Sequence, residues 1–224
     1  MTTRQGKVHT QLGRSAMRIF IACDRMNQVL LEELDRAAWK AKPPGKTRTI
    51  AAIFIHMHNV RAKWIRLTAP HLKVPRQLNR TRCTPKQASA GLAESGARCT
   101  EMLAEALDGD GRIERFLRDG WAAPWPVGVE MLCYMLSHEA HHRGQVCMLA
   151  HQLGFPLPSK VTSRLWNWER LWKECGELLS HTVESERDAS PSTRSPRRPR
   201  SGWQLHICVP LCLPRLGIGG KSVE

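Results

Sequence analysis

Four stretches of this chain repeat apolar residues at spacings of three and four, and each is closed by a proline or a glycine. That grammar predicts long amphipathic helices and leaves little room for anything else. The first stretch, Ser15 to Ala38, places Met17, Phe20, Ile21, Val29, Leu30 and Leu34 on one side and ends at AKPPGKT. A second begins at Thr47 or Thr49, either of which can cap it, and runs to Thr68, where Pro70 stops it. Thr84-Pro85 is a cap followed by proline in the first turn, opening a third helix to about Leu107 that closes at Asp108-Gly109. After a short apolar piece at 113–117 and the loop DGWAAPWPVG, a fourth helix runs from about Val127 to Leu153. Gly154 is its C′ residue and Pro156 its stop. The expected fold is all-α, a four-helix bundle, with the segment SRLWNWERLWKECGELL as an additional C-terminal helix. In that helix Leu165, Trp168 and Trp172 are expected to anchor against the bundle.

Composition fits this reading, because Ala, Leu, Met, Glu and Arg are plentiful and β-branched runs are scarce. From about His181 the grammar stops. ERDASPSTRSPRRPRSG is rich in Ser, Pro and Arg, and the proline-broken LHICVPLCLPRLGIG follows it. The expected organisation is therefore an N-terminal extension at 1–14, the bundle at 15–179, and a disordered tail at 180–224. An altered reading frame is an alternative source for that tail, since nothing in it continues the helical pattern.

Lys and Arg outnumber Asp and Glu by 34 to 20, a formal charge of +14, which suits an anionic partner without choosing one. The basic tail lacks interleaved aromatic residues, so nucleic acid is not the expected partner. The eight cysteines are widely spaced with no CxxC pair, the pattern of reduced thiols in a cytoplasmic protein. Neither a signal-peptide core nor an uninterrupted apolar run of about 18 residues is present, so no membrane association is expected.

The chemistry concentrates in SHEAHHRGQVCMLAHQLGFP, at 137–156. On a helix His138 and His142 lie on one face, on a stripe with Met131, Met135, Leu149 and Leu153. Two imidazoles on an apolar face are costly unless something uses their nitrogens. A metal ion would do so, and hydrogen-bonded core histidines are the other reading. The second helix offers a third ligand. His56 shares a stripe with Ile53, Val60, Trp64 and Leu67, whereas His58 lies with Arg61, Ala62 and Ile65 on a face that looks half exposed. His56 is therefore the expected ligand and His58 the reserve. Three neutral imidazoles leave coordination positions open, as a catalytic site requires. They suit Zn, Ni, Co or Fe.

Residues 138–142 also satisfy H-E-x-x-H, the zinc peptidase motif. The metzincin extension fails, with Gln145 and Met148 where glycine and histidine belong. Glu169 is only a loose candidate for a downstream ligand, and no strand is evident to hold a peptide. Glu139 remains a candidate base, one position after a ligand. Gly144 would let a neighbouring helix approach closely, and Gln145 could hydrogen-bond a ligand. The angles of Cys133 and Cys147 keep them off the histidine stripe.

The string HEAHHRGQVCMLAHQLGFP resembles the last-helix signature of the DinB-like superfamily, H-x-x-H-H-R-G-Q followed by an apolar stretch and Leu-Gly. RTIAAIFIHMHNVRAKWIRL resembles that family's second helix, where a histidine precedes a tryptophan by about two turns, here His56 and Trp64. The resemblance covers residues 15–179. It implies a four-helix bundle, often dimeric, with a divalent metal held by His56, His138 and His142. Characterised members use low-molecular-weight thiols such as bacillithiol or mycothiol as S-transferases or as a maleylpyruvate isomerase, and others are described as metal-dependent hydrolases. The resemblance thus implies a metal-dependent transferase or hydrolase acting on a small molecule, with a small thiol as a possible second cofactor. The alternative is a non-enzymatic, stress-associated metal-binding or assembly protein. Arg61, Lys63, Arg66, Lys73 and Arg76 would either recognise acidic groups of such a cofactor or solvate the second helix and its loop.

Overall fold

The computed structural model describes residues 11–108 and 111–176. The expected tail at 180–224 and the first ten residues of the expected extension lie outside these. Helix α1 spans Gln11–Glu33, α2 Arg36–Lys40, α3 Ile50–Thr68 and α4 Pro85–Asp108. A two-residue hairpin follows, β1 Arg115–Phe116 and β2 Trp125–Pro126, and then come α5 Val129–Gln152 and α6 Ser159–Trp166. A seventh helix, α7, occupies residues 168–176. Helices α1 and α3 each pack on both α4 and α5, which sets the four at the corners of a square with α1 opposite α3.

The local signals explain most boundaries. Thr49, not Thr47, caps α3, its hydroxyl accepting from the Ala52 amide. At α4 a capping box forms: the Gln87 amide donates to Thr84 Oγ1 at 3.3 Å and the Thr84 amide to Gln87 Oε1 at 2.9 Å. Helix α5 ends in a Schellman motif. Gly154 takes φ +83°, the Phe155 amide donates to the Ala150 carbonyl at 2.9 Å, and the Gly154 amide to His151 at 3.1 Å.

Two expected helices are broken, both by capping side chains. The first stops at Glu33 because Asp35 accepts from the Ala37 amide at 2.6 Å and starts α2. The last is split at Asn167, whose Oδ1 accepts from the Arg170 amide at 3.0 Å. Of its expected anchors Leu165 and Trp168 do pack against the core, and Trp172 does not. Leu171 and Cys175 are buried, and Leu171 packs with Ala22, Cys23 and Met26 of α1, while Trp166 and Trp172 are exposed. Arg18 lies over the Trp172 ring at 5.2 Å instead. Glu174 fastens α7 by ion pairs to Arg25 of α1 and Arg164 of α6.

The core has two apolar centres. Phe20, Trp64, Met102, Phe116, Met131 and Met135 belong to one, and Leu30, Trp39, Phe54, Leu92, Val146 and Ala150 to the other. Full burial of a side chain such as Phe54 or Trp64 contributes about 2 to 3 kcal/mol. Between these centres every helix of the square carries polar residues: Asp24 and Asn27 on α1, Arg61 on α3, Ser95 on α4, and Glu139 on α5. The candidate site lies at this level.

Candidate metal centre

His56 comes from α3, and His138 and His142 from adjacent turns of α5. Their rings face one another through their Nε2 atoms. His138 Nε2 is 3.3 Å from His56 Nε2 and 3.2 Å from His142 Nε2, and one ligand atom from each ring lies within 4.8 Å of the others. A tetrahedral ion with metal–nitrogen bonds of about 2.0–2.1 Å holds its ligand nitrogens about 3.3 Å apart. Gln145 Oε1 lies 2.7 Å from His142 Nδ1, which assigns the ring proton to Nδ1 and leaves a lone pair on Nε2. The donor set and its spacing fit a divalent cation.

Electrostatics keep these rings neutral. Burial pushes His56 down to about 4, assisted by the nearby charges of Arg48, the other two imidazoles and Arg80. Burial also pushes His138 down to about 4, and it lowers His142, against the hydrogen bond to Gln145 that raises it. His142 is buried, whereas His56 and His138 are partly accessible, so the cluster opens toward solvent on one side. Trp64 meets the His138 ring edge-on at 5.3 Å and Tyr134 stacks on it at 6.4 Å.

His58, the reserve ligand, is not half exposed but fully buried and turned away. Its ring nitrogens lie 2.8 Å from the Gly91 carbonyl and 2.9 Å from the Arg76 carbonyl. It fastens the 69–84 loop to α3 and α4, beside Asn59, which exchanges two hydrogen bonds with the Leu78 backbone. Gly91 permits this, since a Cβ there would sit 3.0 Å from Leu78 and 3.2 Å from the His58 ring.

The base role expected for Glu139 does not match its position. Its carboxylate is buried and accepts from Arg61 Nε at 2.6 Å, Arg61 Nη2 at 2.8 Å and Asn27 Nδ2 at 2.7 Å. Burial would raise its pKa, but the Arg61 guanidinium and these hydrogen bonds outweigh that and hold it below the usual carboxylate range. The peptidase reading loses its general base here. Its other requirement fails as well, for the only strands among the described residues are the two-residue pair, Arg115 opposite Pro126 and Phe116 opposite Trp125.

Arg61 likewise leaves the set of basic residues expected to meet a cofactor or solvent, being fully buried. Besides Glu139 it holds Asp24 at 2.6 Å and donates to the Leu92 carbonyl at 3.1 Å. Arg143 adds a bond to Asn27 Oδ1 at 3.2 Å, so one polar network ties together all four helices of the square. Lys63 pairs with Asp119 at 2.9 Å, and Arg66, Lys73 and Arg76 are exposed. Arg48 and Arg80 are the basic residues whose charge reaches His56. Gly144 has no neighbour within 4 Å of a Cβ built there, so no helix approaches it. Cys133 is exposed and Cys147 half-buried, outside the histidine group.

The DinB family pattern matches residues 14–174, most of the chain and all three histidines. The chain belongs to the DinB family. No curated protein and no solved structure matches it. Membership accounts for the helical bundle of this DinB chain, and no helix among its described residues is long and apolar enough to cross a membrane.

Proposed function

We propose that this DinB protein holds a divalent metal on His56, His138 and His142 and uses it as a small-molecule transferase of the thiol S-transferase type, or as a hydrolase. The observation that carries this reading is the meeting of three neutral imidazole Nε2 atoms, 3.2 and 3.3 Å apart, on a cluster that is open on one side. When bound, a divalent ion supplies Lewis acidity, which lowers the pKa of a thiol or water and polarises an electrophile. Gln145 fixes the His142 ring in the tautomer that presents Nε2. Trp64 and Tyr134 brace His138 and shield that flank from water. The open side is where a small substrate enters. Glu139 and Arg61 serve the scaffold in this reading and transfer no proton. The homodimer implied by the family resemblance belongs to the proposal too, and sedimentation of the metal-loaded protein measures it.

The test is metal content per chain on untagged protein, for wild type and a His138→Ala/His142→Ala variant, followed by turnover. About one Zn, Ni, Co or Fe per wild-type chain and almost none in the variant supports the site. Consumption of an alkyl halide that needs both the metal and a thiol such as bacillithiol or mycothiol supports the transferase, and thiol-independent hydrolysis supports the hydrolase. Full metal loading with no turnover of either kind leaves a metal-holding protein without the proposed activity.

A further inference from the structure

The metal cluster has one aromatic flank, and it carries unused hydrogen-bond donors. Trp64, Phe116, Trp125 and Tyr134 form a continuous set of ring contacts with centroids 5.4 to 6.4 Å apart, and Tyr134 stacks directly on His138. Arg118, on the loop that follows β1, spreads over this set, its guanidinium carbon 4.2 Å from the Trp125 ring centre and 5.8 Å from that of Tyr134. Tyr134 thus touches both Arg118 and the His138 ring.

The polar atoms here are left without partners. Arg118 Nη1 is shielded from water yet makes no hydrogen bond, and the same holds for Trp64 Nε1 and His138 Nδ1. The adjoining carboxylate, Asp119, pairs with Lys63 through Oδ1. These three atoms lie along one aromatic flank. Such atoms are costly when nothing meets them, so a group of them beside the histidine centre points to an acceptor that binds there. The unpartnered Nη1 belongs to the guanidinium edge, the edge that receives a carboxylate in two parallel hydrogen bonds. Arg118, Trp125 and Tyr134 are all partly accessible, so the corner borders solvent and a shift of the Arg118 side chain brings Nη1 to a ligand there.

We propose that this corner is an acid-binding subsite of the histidine centre: it takes a small organic acid with an apolar body, the carboxylate on Arg118 and the body against Trp125 and Tyr134. This rests on the reading of the three histidines as a reaction site, and it supplies the substrate class that reading lacks.

The experiment is calorimetric titration of benzoate, and of uncharged benzyl alcohol as a control, into zinc-loaded wild type, Arg118→Gln and Arg118→Lys. Metal content and the thermal melt are measured on the same samples. Benzoate is expected to bind wild type at least about tenfold more tightly than Arg118→Gln. Arg118→Lys should fall between, and benzyl alcohol should bind weakly and equally to all three. If the glutamine variant does not fold, the lysine variant alone decides, by a loss of benzoate affinity at unchanged metal content. Equal benzoate affinity in wild type and the variants overturns the subsite, as does no binding to wild type. Two further arms test whether the carboxylate sits elsewhere. Binding that ignores Arg118 but vanishes without zinc places the carboxylate on the metal. Binding lost only in an Arg48→Ala/Arg80→Ala variant places it at the rim near His56. Either result overturns the assignment to Arg118. Failure of the protein to take up zinc, with Arg118-dependent benzoate binding retained, sinks the metal-centre reading and leaves the anion site standing.

Discussion

At one level of the bundle, helices α3 and α5 carry two polar groups that have opposite fates. On one face of α5, Glu139 meets Arg61 of α3 in a bidentate pair, and Asn27, Asp24, Arg143 and the Leu92 carbonyl complete the network. One residue earlier, His138 meets His56 and His142 with only their nitrogens facing one another. The first group supplies its own partners and excludes others. The second turns its ring nitrogens toward one shared point. Residue type does not separate scaffold from site here, since buried charges belong to the scaffold and neutral rings to the site. Satisfaction does separate them.

The contrast breaks most easily at Arg61. Replacing it with Ala takes the paired cation from buried Glu139 and half-buried Asp24 and should cost about 3–5 kcal/mol in urea unfolding. A loss under about 1 kcal/mol would show that the network does not hold the helices together. The histidine side responds to a ligand instead. Zinc at about 100 times its dissociation constant should stabilise wild type by about 2.7 kcal/mol, and should leave a His56→Ala/His138→Ala variant unmoved in the same melt.

Acid sharpens the contrast further. In the metal-free protein His56 and His138 are depressed to about 4 from 6.5, so between those values the unfolded chain binds more protons than the folded one. Their contribution is fully present above about pH 6.5 and is lost as pH falls toward 4. Urea midpoints measured across that window should drop in wild type, and less in the His56→Ala/His138→Ala variant. The smallest effect belongs to Gln145. Its replacement by Ala should weaken zinc binding about tenfold, measured by chelator competition, with no change in the metal-free melt.

The sequence carried the fold wherever a boundary depends on neighbours in the chain. Thr84-Pro85-Lys86-Gln87 and the stop from Ala150 to Phe155 contain all the atoms that make their caps. Asp35 and Asn167 were just as local, but in a helical pattern they look like solvated positions, and their capping role ended two helices early. The three histidines could be brought together because His138 and His142 are one turn apart and His56 sits on a stripe of apolar residues. Arg61 and Glu139, 78 residues apart, could not be paired by spacing. A signal existed nonetheless. Glu139 shares a stripe with Leu132, Met135 and Val146, and Arg61 shares one with Phe54, Met57 and Trp64, so both charges stood on core faces. Treating a charge as solvated by default hid a buried pair.

Gly96 of α4 extends the reach of that pair. A Cβ there would lie 2.5 Å from Asp24 Oδ2, so a side chain opposite the acid has to displace the carboxylate that pairs with Arg61. Elsewhere in a helix the exchange of glycine for alanine stabilises by about 1 kcal/mol, and at Gly144, with nothing nearby, it should do so here. At position 96 the same exchange works against the Asp24 carboxylate, and that cost disappears once position 24 carries a smaller side chain.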